Sequence, residues 1–259
     1  MRIALGQTVG TPADIAANLR LMERLAEQAA ADRAALLVLP ELFLTGYNIG
    51  AAVAALAEPC NGPSAVAIAA IARRLGLCIA YGYPERAADG VYNSAAVIDR
   101  NGRLLANYRK IHLWGEFEST QFRPGGTSEL FELDGQRLGL MICYDLDFPE
   151  LARTLAIAGA DSAITISATT VPYTIVPRQV VPTRAYENSM FVVFANRAGE
   201  EHGQRYTGES CIAGPDGSIL ISCGETEMLA TVDLAPARYA DYRREHRYMQ
   251  DRRPELYRL

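Results

Sequence analysis

The stretch Gly139–Arg153, GLMICYDLDFPELAR, places a cysteine between an apolar strand pattern and a helix pattern. The helix is predicted over residues 147–158, and its acidic pair, Asp147 and Glu150, is typical of a capped first turn. Cys143 therefore stands at a strand end directly before a helix. A thiol in that position is either a small buried filler or a nucleophile. The positive end of the helix and a nearby lysine are expected to lower the pKa of the Cys143 thiol.

The composition of the chain limits the classes of protein that fit it. Of its 259 residues, 49% are hydrophobic and 21% are charged, and the net charge is -5. These values suit a soluble globular protein with one large core or two small ones. No basic block indicates nucleic-acid binding, no apolar run is long enough for a membrane span, and the N-terminus lacks the apolar region of a signal peptide. We therefore expect a cytoplasmic protein with no nucleic-acid or membrane partner.

The cysteines and histidines favour neither a disulfide framework nor a metal site. The five cysteines are an odd number, and none of them forms a C-x-x-C pair. The three histidines lie far apart along the chain. We therefore expect no structural zinc and no bound metal.

Helix and strand patterns alternate along the whole chain without a linker or a repeat. Helix patterns occupy residues 11–34, 63–75, 147–158 and 234–244. Strand patterns lie near residues 77–82, 92–98, 104–108, 130–133, 137–142, 162–166, 191–195, 210–213, 218–222 and 228–233. Three pairs, Asn101-Gly102, Asp134-Gly135 and Asp216-Gly217, are typical of hairpin turns. The chain is predicted to form one layered α/β domain, residues 1–259, whose sheets are not purely parallel.

Two further stretches place charged residues at predicted strand ends. Glu41 follows the apolar strand ALLVLP, which Pro40 ends, so partial desolvation is expected to raise its pKa. Lys110 ends another strand, and Glu116 and Glu118 follow it in a predicted polar loop. The alternative for each stretch is an ordinary charged surface in contact with solvent.

Together these stretches resemble a known family. PELFLTGY (40–47), YRKIHLWGEFE (108–118) and ICYDLDFPE (142–150) are similar to three motifs of the nitrilase superfamily of carbon–nitrogen hydrolases, in the same order. RAYENSMFVVFAN (184–196) and GESCIAGPDGSIL (208–220) resemble its C-terminal half. ELFLTGYNIG (41–50) and YGYPER (81–86) look like the branch that hydrolyses aliphatic amides, including 5-aminopentanamide. The resemblance covers essentially the whole chain.

The resemblance implies a four-layer α-β-β-α sandwich and assigns roles to residues. Cys143 would be the nucleophile, Glu41 the general base and Lys110 the oxyanion partner. Glu118 would be an additional glutamate of the site, with Glu116 as the second choice for that role. The implied substrate is a small amide, and no metal or organic cofactor is expected.

The same resemblance suggests a substrate pocket and a homodimer. The expected substrate-binding residues are Tyr47, Trp114, Glu116, Tyr144, Ala168, Thr169 and Tyr173. Relatives usually carry phenylalanine where Trp114 stands. Pro177 and Pro182 are expected to shift or kink the helix before residue 184 and to border the acyl pocket. The Arg- and Tyr-rich segment 244–259 is predicted to lie at a dimer interface.

Three alternatives remain open at this point. A nitrilase or an N-carbamoyl amide hydrolase would use the same three residues as an amidase. A Cys-His hydrolase would use His112, although no second Asn or Asp stands in a recognisable pattern with it. Outside the enzymes, a binding protein of the same fold would have no use for the catalytic residues.

Overall fold

The computed structural model describes residues 1–128 and 130–257, which form two six-stranded sheets with helices on their outer faces. The first sheet contains β1 (Arg2–Gln7), β2 (Leu36–Val38), β3 (Cys78–Ala87), β4 (Gly90–Ile98), β5 (Leu104–Arg109) and β14 (Met228–Asp233). The second contains β6 (Leu130–Leu133), β7 (Gln136–Ile142), β8 (Ser162–Ser167), β9 (Phe191–Asn196), β12 (Cys211–Ala213) and β13 (Ile219–Ser222). A separate small hairpin pairs β10 (Glu200–Glu201) with β11 (Gln204–Arg205).

Both sheets mix parallel and antiparallel strands. The first has the order β14-β1-β2-β3-β4-β5, in which β1, β2 and β3 are parallel. The second has the order β13-β12-β9-β8-β7-β6, in which β7, β8 and β9 are parallel. The predicted turns at 101–102, 134–135 and 216–217 each join an antiparallel pair, β4–β5, β6–β7 and β12–β13. The prediction that the sheets are not purely parallel is therefore confirmed.

Seven α-helices accompany the sheets. They are α1 (Ile15–Ala31), α2 (Ala52–Leu56), α3 (Pro63–Leu75), α4 (Gly115–Gln121), α5 (Pro149–Ile157), α6 (Val181–Asn188) and α7 (Ala240–Glu245) among the described residues. Short 3₁₀ segments cover Cys143–Asp147, Pro236–Tyr239 and Pro254–Leu256, and a π-helical turn covers Val176–Val180. Within the same part of the chain, no helix has both the length and the apolar composition that crossing a bilayer requires.

The core lies in three layers that define the sandwich. The inner faces of the two sheets meet through fully buried side chains such as Val38 and Leu140. Helices α1 and α3 cover the outer face of the first sheet, where Met22 packs in one apolar cluster with Leu37. Helices α5 and α6 cover the second sheet in the same way. The predicted α-β-β-α sandwich is confirmed.

Several local predictions change in the structure. Asp147 does not cap the helix, because α5 begins at Pro149, with Phe148 as an N-cap that makes no side-chain bond. Proline suits a first helical position, since its missing N–H is not needed there. The segment with Glu116 and Glu118 is helix α4 and not a polar loop.

The two prolines before residue 184 act as predicted. Pro182 lies in the first turn of α6, and Pro177 lies in the π-helical turn immediately before it. A proline ring interferes with the carbonyl one turn earlier, so regular α-helix begins only at Val181. The predicted shift of the helix start is confirmed.

Candidate active site

Glu41 and Lys110 follow different strands of the first sheet and meet in the interior. Glu41 comes after β2 and Lys110 after β5, and both side chains are completely buried. Lys110 Nζ donates to Glu41 Oε1 at 2.7 Å and to Glu118 Oε1 at 2.7 Å. One ammonium therefore joins two carboxylates, and neither strand end is an ordinary charged surface.

The two oxygens of the Glu41 carboxylate have different surroundings. Oε1 accepts a second hydrogen bond from Asn93 Nδ2 at 2.7 Å. Oε2 is buried and has no hydrogen-bond partner among the described residues. Burial raises the pKa of Glu41 to about 7 against the charge of Lys110, and the nearby Glu118 carboxylate adds to the increase. A carboxylate with that pKa is suited to exchange protons at neutral pH.

The Lys110 ammonium stays charged in this site. Burial disfavours the charge, but the Glu41 and Glu118 carboxylates outweigh burial and raise the pKa of Lys110. An ammonium has three N–H donors, and the two carboxylates occupy two of them. The third donor is not used by these two carboxylates.

Glu118 is fixed from several directions. Its Oε1 accepts from the Tyr47 hydroxyl at 2.7 Å as well as from Lys110, and its Oε2 accepts from the main-chain N–H of Trp114 at 2.8 Å. Helix α4 carries Glu118 on its buried side, whereas Glu116 is exposed to solvent. The structure therefore brings Glu118, and not Glu116, to the buried Lys110 ammonium.

Cys143 begins the 3₁₀ segment after β7 in an unusual backbone conformation. Its φ is 48°, in the left-handed region that residues other than glycine seldom adopt. The fully buried Asp145 carboxylate holds this turn by accepting from the N–H groups of Ile142 and His112 and from the Tyr108 hydroxyl. Sequence reasoning assigned no role to Asp145. The signal was an aspartate three residues beyond a strand end, a position from which its short side chain reaches nearby main-chain N–H groups.

The expected low pKa of the cysteine is wrong. Burial and the Glu41 carboxylate raise the pKa of the Cys143 thiol to about 12, although Lys110 opposes the increase. The positive end of a single 3₁₀ turn does not offset this desolvation. The resting residue is therefore a thiol, which needs a base before it can attack.

Cys143 lines a cavity of about 220 Å³. Six of the seven predicted substrate-binding residues line the same cavity: Tyr47, Trp114, Tyr144, Ala168, Thr169 and Tyr173. The seventh, Glu116, is exposed and lies outside the lining, because α4 turns it towards solvent. Pro177 and Pro182 also lie outside the lining, and Asp147, which was not predicted, belongs to it.

His112 is held away from this chemistry. Its Nδ1 lies 2.8 Å from Asp145 Oδ1, and its ring stacks on Phe148 with the centroids 3.8 Å apart. Asp145 is thus a carboxylate partner that the sequence pattern did not reveal. However, Cys143 Sγ lies 3.7 Å from Thr169 Oγ1, and no hydrogen bond joins it to His112 among the described residues. The geometry gives no support to a Cys-His hydrolase.

The comparison with known families agrees with this architecture. The carbon-nitrogen hydrolase family matches residues 2–244. The chain belongs to the carbon–nitrogen hydrolase family. It is therefore a hydrolase of the nitrilase superfamily, and its relatives include amidases.

Individual relatives of this carbon–nitrogen hydrolase cover nearly the whole chain. A protein named "Hydrolase in pqqF 5'region" from Pseudomonas protegens is 48% identical over 99% of this chain and 90% of the relative. A nitrilase from Pyrococcus abyssi is 38% identical over 93% of this chain and 92% of the relative. The crystal structure of an amidase from Nesterenkonia sp. AN1 has a TM-score of 0.89 and 33% identity, and covers 99% of this chain and 98% of that chain. A structure of a glutamate-to-glutamine variant of that amidase shows covalent addition of the acetamide moiety of fluoroacetamide at its active-site cysteine.

These relatives support the amidase type without selecting a substrate. The sequence resemblance to enzymes that hydrolyse 5-aminopentanamide is not confirmed by them and stays a prediction.

Two features that fix the main chain at Glu41 in this hydrolase were not found from its sequence. The fully buried Arg197 donates to the main-chain oxygens of Glu41 at 3.3 Å and Leu42 at 3.4 Å, and it pairs with Glu201 at 3.4 Å. Gly82, in the YGYPER stretch, lies so close to this loop that a Cβ there would be 2.3 Å from the nitrogen of Leu42. A guanidinium on one side and a bare glycine on the other therefore fix the main chain of Glu41.

Proposed function

We propose that this hydrolase converts a small aliphatic carboxamide into the carboxylic acid and ammonia through a thioester on Cys143. The observation that carries the proposal is the free Oε2 of Glu41, a buried carboxylate oxygen with no partner among the described residues. A buried acceptor without a donor is costly, so it marks a site that a proton or a substrate donor fills. The charge of Glu41 raises the pKa of the Cys143 thiol, so the two groups interact. We assign the thiol as the proton donor to Oε2.

In the first half of the proposed reaction, Glu41 takes the thiol proton as sulfur attacks the amide carbon. Negative charge then develops on the carbonyl oxygen. We assign the unused N–H of Lys110 and the main-chain N–H of Tyr144, the residue after the nucleophile, to receive this charge. One donor of this kind commonly lowers a barrier by about 3 kcal/mol. Glu41 returns its proton to nitrogen, the C–N bond breaks, ammonia leaves and the thioester remains.

In the second half, water hydrolyses the thioester. Glu41 is again a carboxylate and takes a proton from the attacking water. The C–S bond breaks in the tetrahedral species, the acid leaves, and the proton on Glu41 returns to the sulfur. The two halves use Glu41 in the same way, so its pKa near 7 serves both.

Amides are expected to be better substrates than nitriles. An amide offers an NH₂ group to the buried carboxylate oxygens, and Glu41 can protonate that nitrogen as it leaves. A linear nitrile offers no donor, so the acceptor would stay unpaired in its complex. We expect kcat/KM for butyramide to exceed that for butyronitrile by at least about a hundredfold.

The screen that tests this proposal measures ammonia release from aliphatic, ω-amino, aromatic and carbamoyl amides beside the matching nitriles. Equal or faster nitrile turnover would make the protein a nitrilase with the same three residues, and preference for carbamoyl compounds would make it an N-carbamoyl amide hydrolase. Activity on none of them would favour a binding protein of this fold.

We also propose that segment 244–259 packs across a homodimer interface. The part that the structure describes lies on α5 and α6: the Tyr248 ring is 5.4 Å from that of Tyr186, and Arg153 Nη1 is 3.9 Å from Met249 Sδ. Residues 258–259 lie outside the described part of the chain. Arginine and tyrosine are enriched at interfaces, which supports the proposal.

Removing this segment is expected to dissociate the dimer. A chain that ends at Ala240 should elute and scatter light as a monomer or lose solubility, because the interface loses its Arg- and Tyr-rich surface. The full-length chain, measured at the same concentrations, is the control. A truncated chain that stays dimeric would exclude the segment from the interface.

A further inference from the structure

The Cys143 sulfur has a threonine hydroxyl beside it. Its Sγ lies 3.7 Å from Thr169 Oγ1. Thr169 is buried, follows β8 by two residues and lines the cavity together with Cys143. Sulfur is larger than oxygen, so a hydrogen bond to it is longer than one between two oxygen atoms. No step of the proposed reaction uses this hydroxyl, and the sequence predicted Thr169 only as a substrate-binding residue.

A second hydroxyl controls where the Thr169 proton points. Ser167 Oγ is fully buried and lies 2.8 Å from Thr169 Oγ1. Either hydroxyl can donate in that bond, which occupies one of the two hydroxyl protons. Among the described residues, no oxygen outside this pair accepts from either hydroxyl. The second proton of the pair is therefore left for the Cys143 sulfur.

The main chain of Thr169 is held in place by a buried amide. The Thr169 N–H donates to Asn196 Oδ1 at 2.8 Å, and Asn196 Nδ2 donates to the Thr169 carbonyl at 3.3 Å. Asn196 is fully buried at the end of β9, and its Nδ2 also donates to Thr207 Oγ1 and to the carbonyl of Gly208. The hydroxyl of Thr169 is thus fixed in advance, and a fixed donor stabilises developing charge without reorganisation.

The Cys143 sulfur needs such a donor when it loses its proton. Burial and the charge of Glu41 raise the pKa of the thiol to about 12, whereas Lys110 and a hydrogen bond from Ser167 oppose the increase. Transfer of its proton to Glu41, whose pKa is about 7, is therefore unfavourable. A hydrogen bond to a charged acceptor is stronger than one to a neutral acceptor. A bond from Thr169 therefore stabilises the thiolate more than the thiol and lowers the barrier to attack.

We propose that Thr169 is a further catalytic residue, whose hydroxyl donates a hydrogen bond to the Cys143 sulfur as that sulfur becomes a thiolate. Ser167 is the positioning residue for this hydroxyl. The inference rests on the proposed amidase function and deepens its mechanism. The thiol proton passes to Glu41, and Thr169 keeps its own proton throughout. The same donor meets the sulfur again when the C–S bond of the intermediate breaks and its electron pair returns to sulfur.

Thr169→Val tests the donor, because valine keeps the branched shape and replaces the hydroxyl with a methyl group. Two rates are measured on the full-length chain at one pH. One is single-turnover acylation by butyramide, followed as ammonia release. The other is modification of Cys143 by methyl methanethiosulfonate, followed by peptide mass spectrometry; this reagent has no amide group, so it reports on the thiol alone. Both rates should fall by about ten- to a hundredfold, the effect of a lost hydrogen bond to a charged group.

Three further variants separate the hydroxyl from packing. Thr169→Ser keeps the donor and should retain both rates within about threefold. Ser167→Ala removes the positioning hydroxyl and should slow both rates by less than Thr169→Val does. Thr165→Val is the matched control, because Thr165 is a buried threonine of β8 outside the cavity lining, and its hydroxyl has no hydrogen-bond partner among the described residues. It should alter neither rate by more than about twofold.

The outcomes distinguish this inference from its alternatives. Unchanged modification of Cys143 in Thr169→Val, with a higher KM for butyramide, would overturn it and leave Thr169 as a substrate-binding residue. Equal losses in Thr169→Val and Thr169→Ser would also overturn it, because packing and not the hydroxyl would then account for them. If the unaltered enzyme hydrolyses no amide while Thr169→Val still slows the modification, the amidase proposal fails and the hydroxyl remains a donor to the sulfur.

Discussion

Cys143→Ala is expected to reduce amide turnover by at least about 10⁴-fold, because the thioester cannot form without the sulfur. The substitution removes one atom from a half-buried side chain, so the fold should remain intact. Ammonia release measures the loss, circular dichroism checks the fold, and mass spectrometry of the unaltered enzyme during turnover should find the acyl group on Cys143. Retained turnover in this variant would exclude the whole mechanism.

The other four cysteines provide the control for this assignment. Cys78, Cys211 and Cys223 are buried, and Cys60 is partly buried. Iodoacetamide should therefore modify Cys143 before any of them, with Glu41 removing its proton. If Cys60 reacted first, the thiol of Cys143 would not be activated in the way that we propose.

Glu41→Gln is expected to slow both acylation and deacylation by at least about a hundredfold. The amide keeps the shape of the side chain and its bond from Lys110, but it cannot take a proton from sulfur or water. Single-turnover measurements of ammonia and acid release would separate the two steps. Glu116→Gln, an exposed change on α4 outside the cavity, is the control for charge removal and should alter each step by less than about twofold.

The same assignment predicts the direction of the pH dependence. Glu41 must be ionised to act as a base, and its pKa is about 7. As the pH falls below that value, more of the carboxyl is protonated, so kcat/KM should decline by about tenfold per pH unit. Glu41→Gln should remove this acidic limb. If kcat/KM still declines at low pH in this variant, another ionisable group causes the decline.

The sequence does not predict several buried residues that support the site. Asn93, Asp145 and Arg197 hold the catalytic loops, yet each is an ordinary polar residue in its own stretch. Asn93 lies in β4, 52 residues from Glu41, and meets it only because β3 pairs with both β2 and β4. Such partners depend on strand order and register, which local patterns do not specify.

The sequence by itself determined the strands of the two six-stranded sheets, the hairpin turns, the three motifs and the shift of α6 by its prolines. These features follow from hydrophobic periodicity and turn chemistry within a few residues. Only the tertiary structure decided that Glu118 and not Glu116 joins Lys110, that Cys143 rests as a thiol, and that Asp147 lines the cavity. The physical reason is that these properties depend on desolvation and on charges brought together from distant strands. Burial overrides the local effect of a lysine and a helix end, and no short stretch of sequence contains that information.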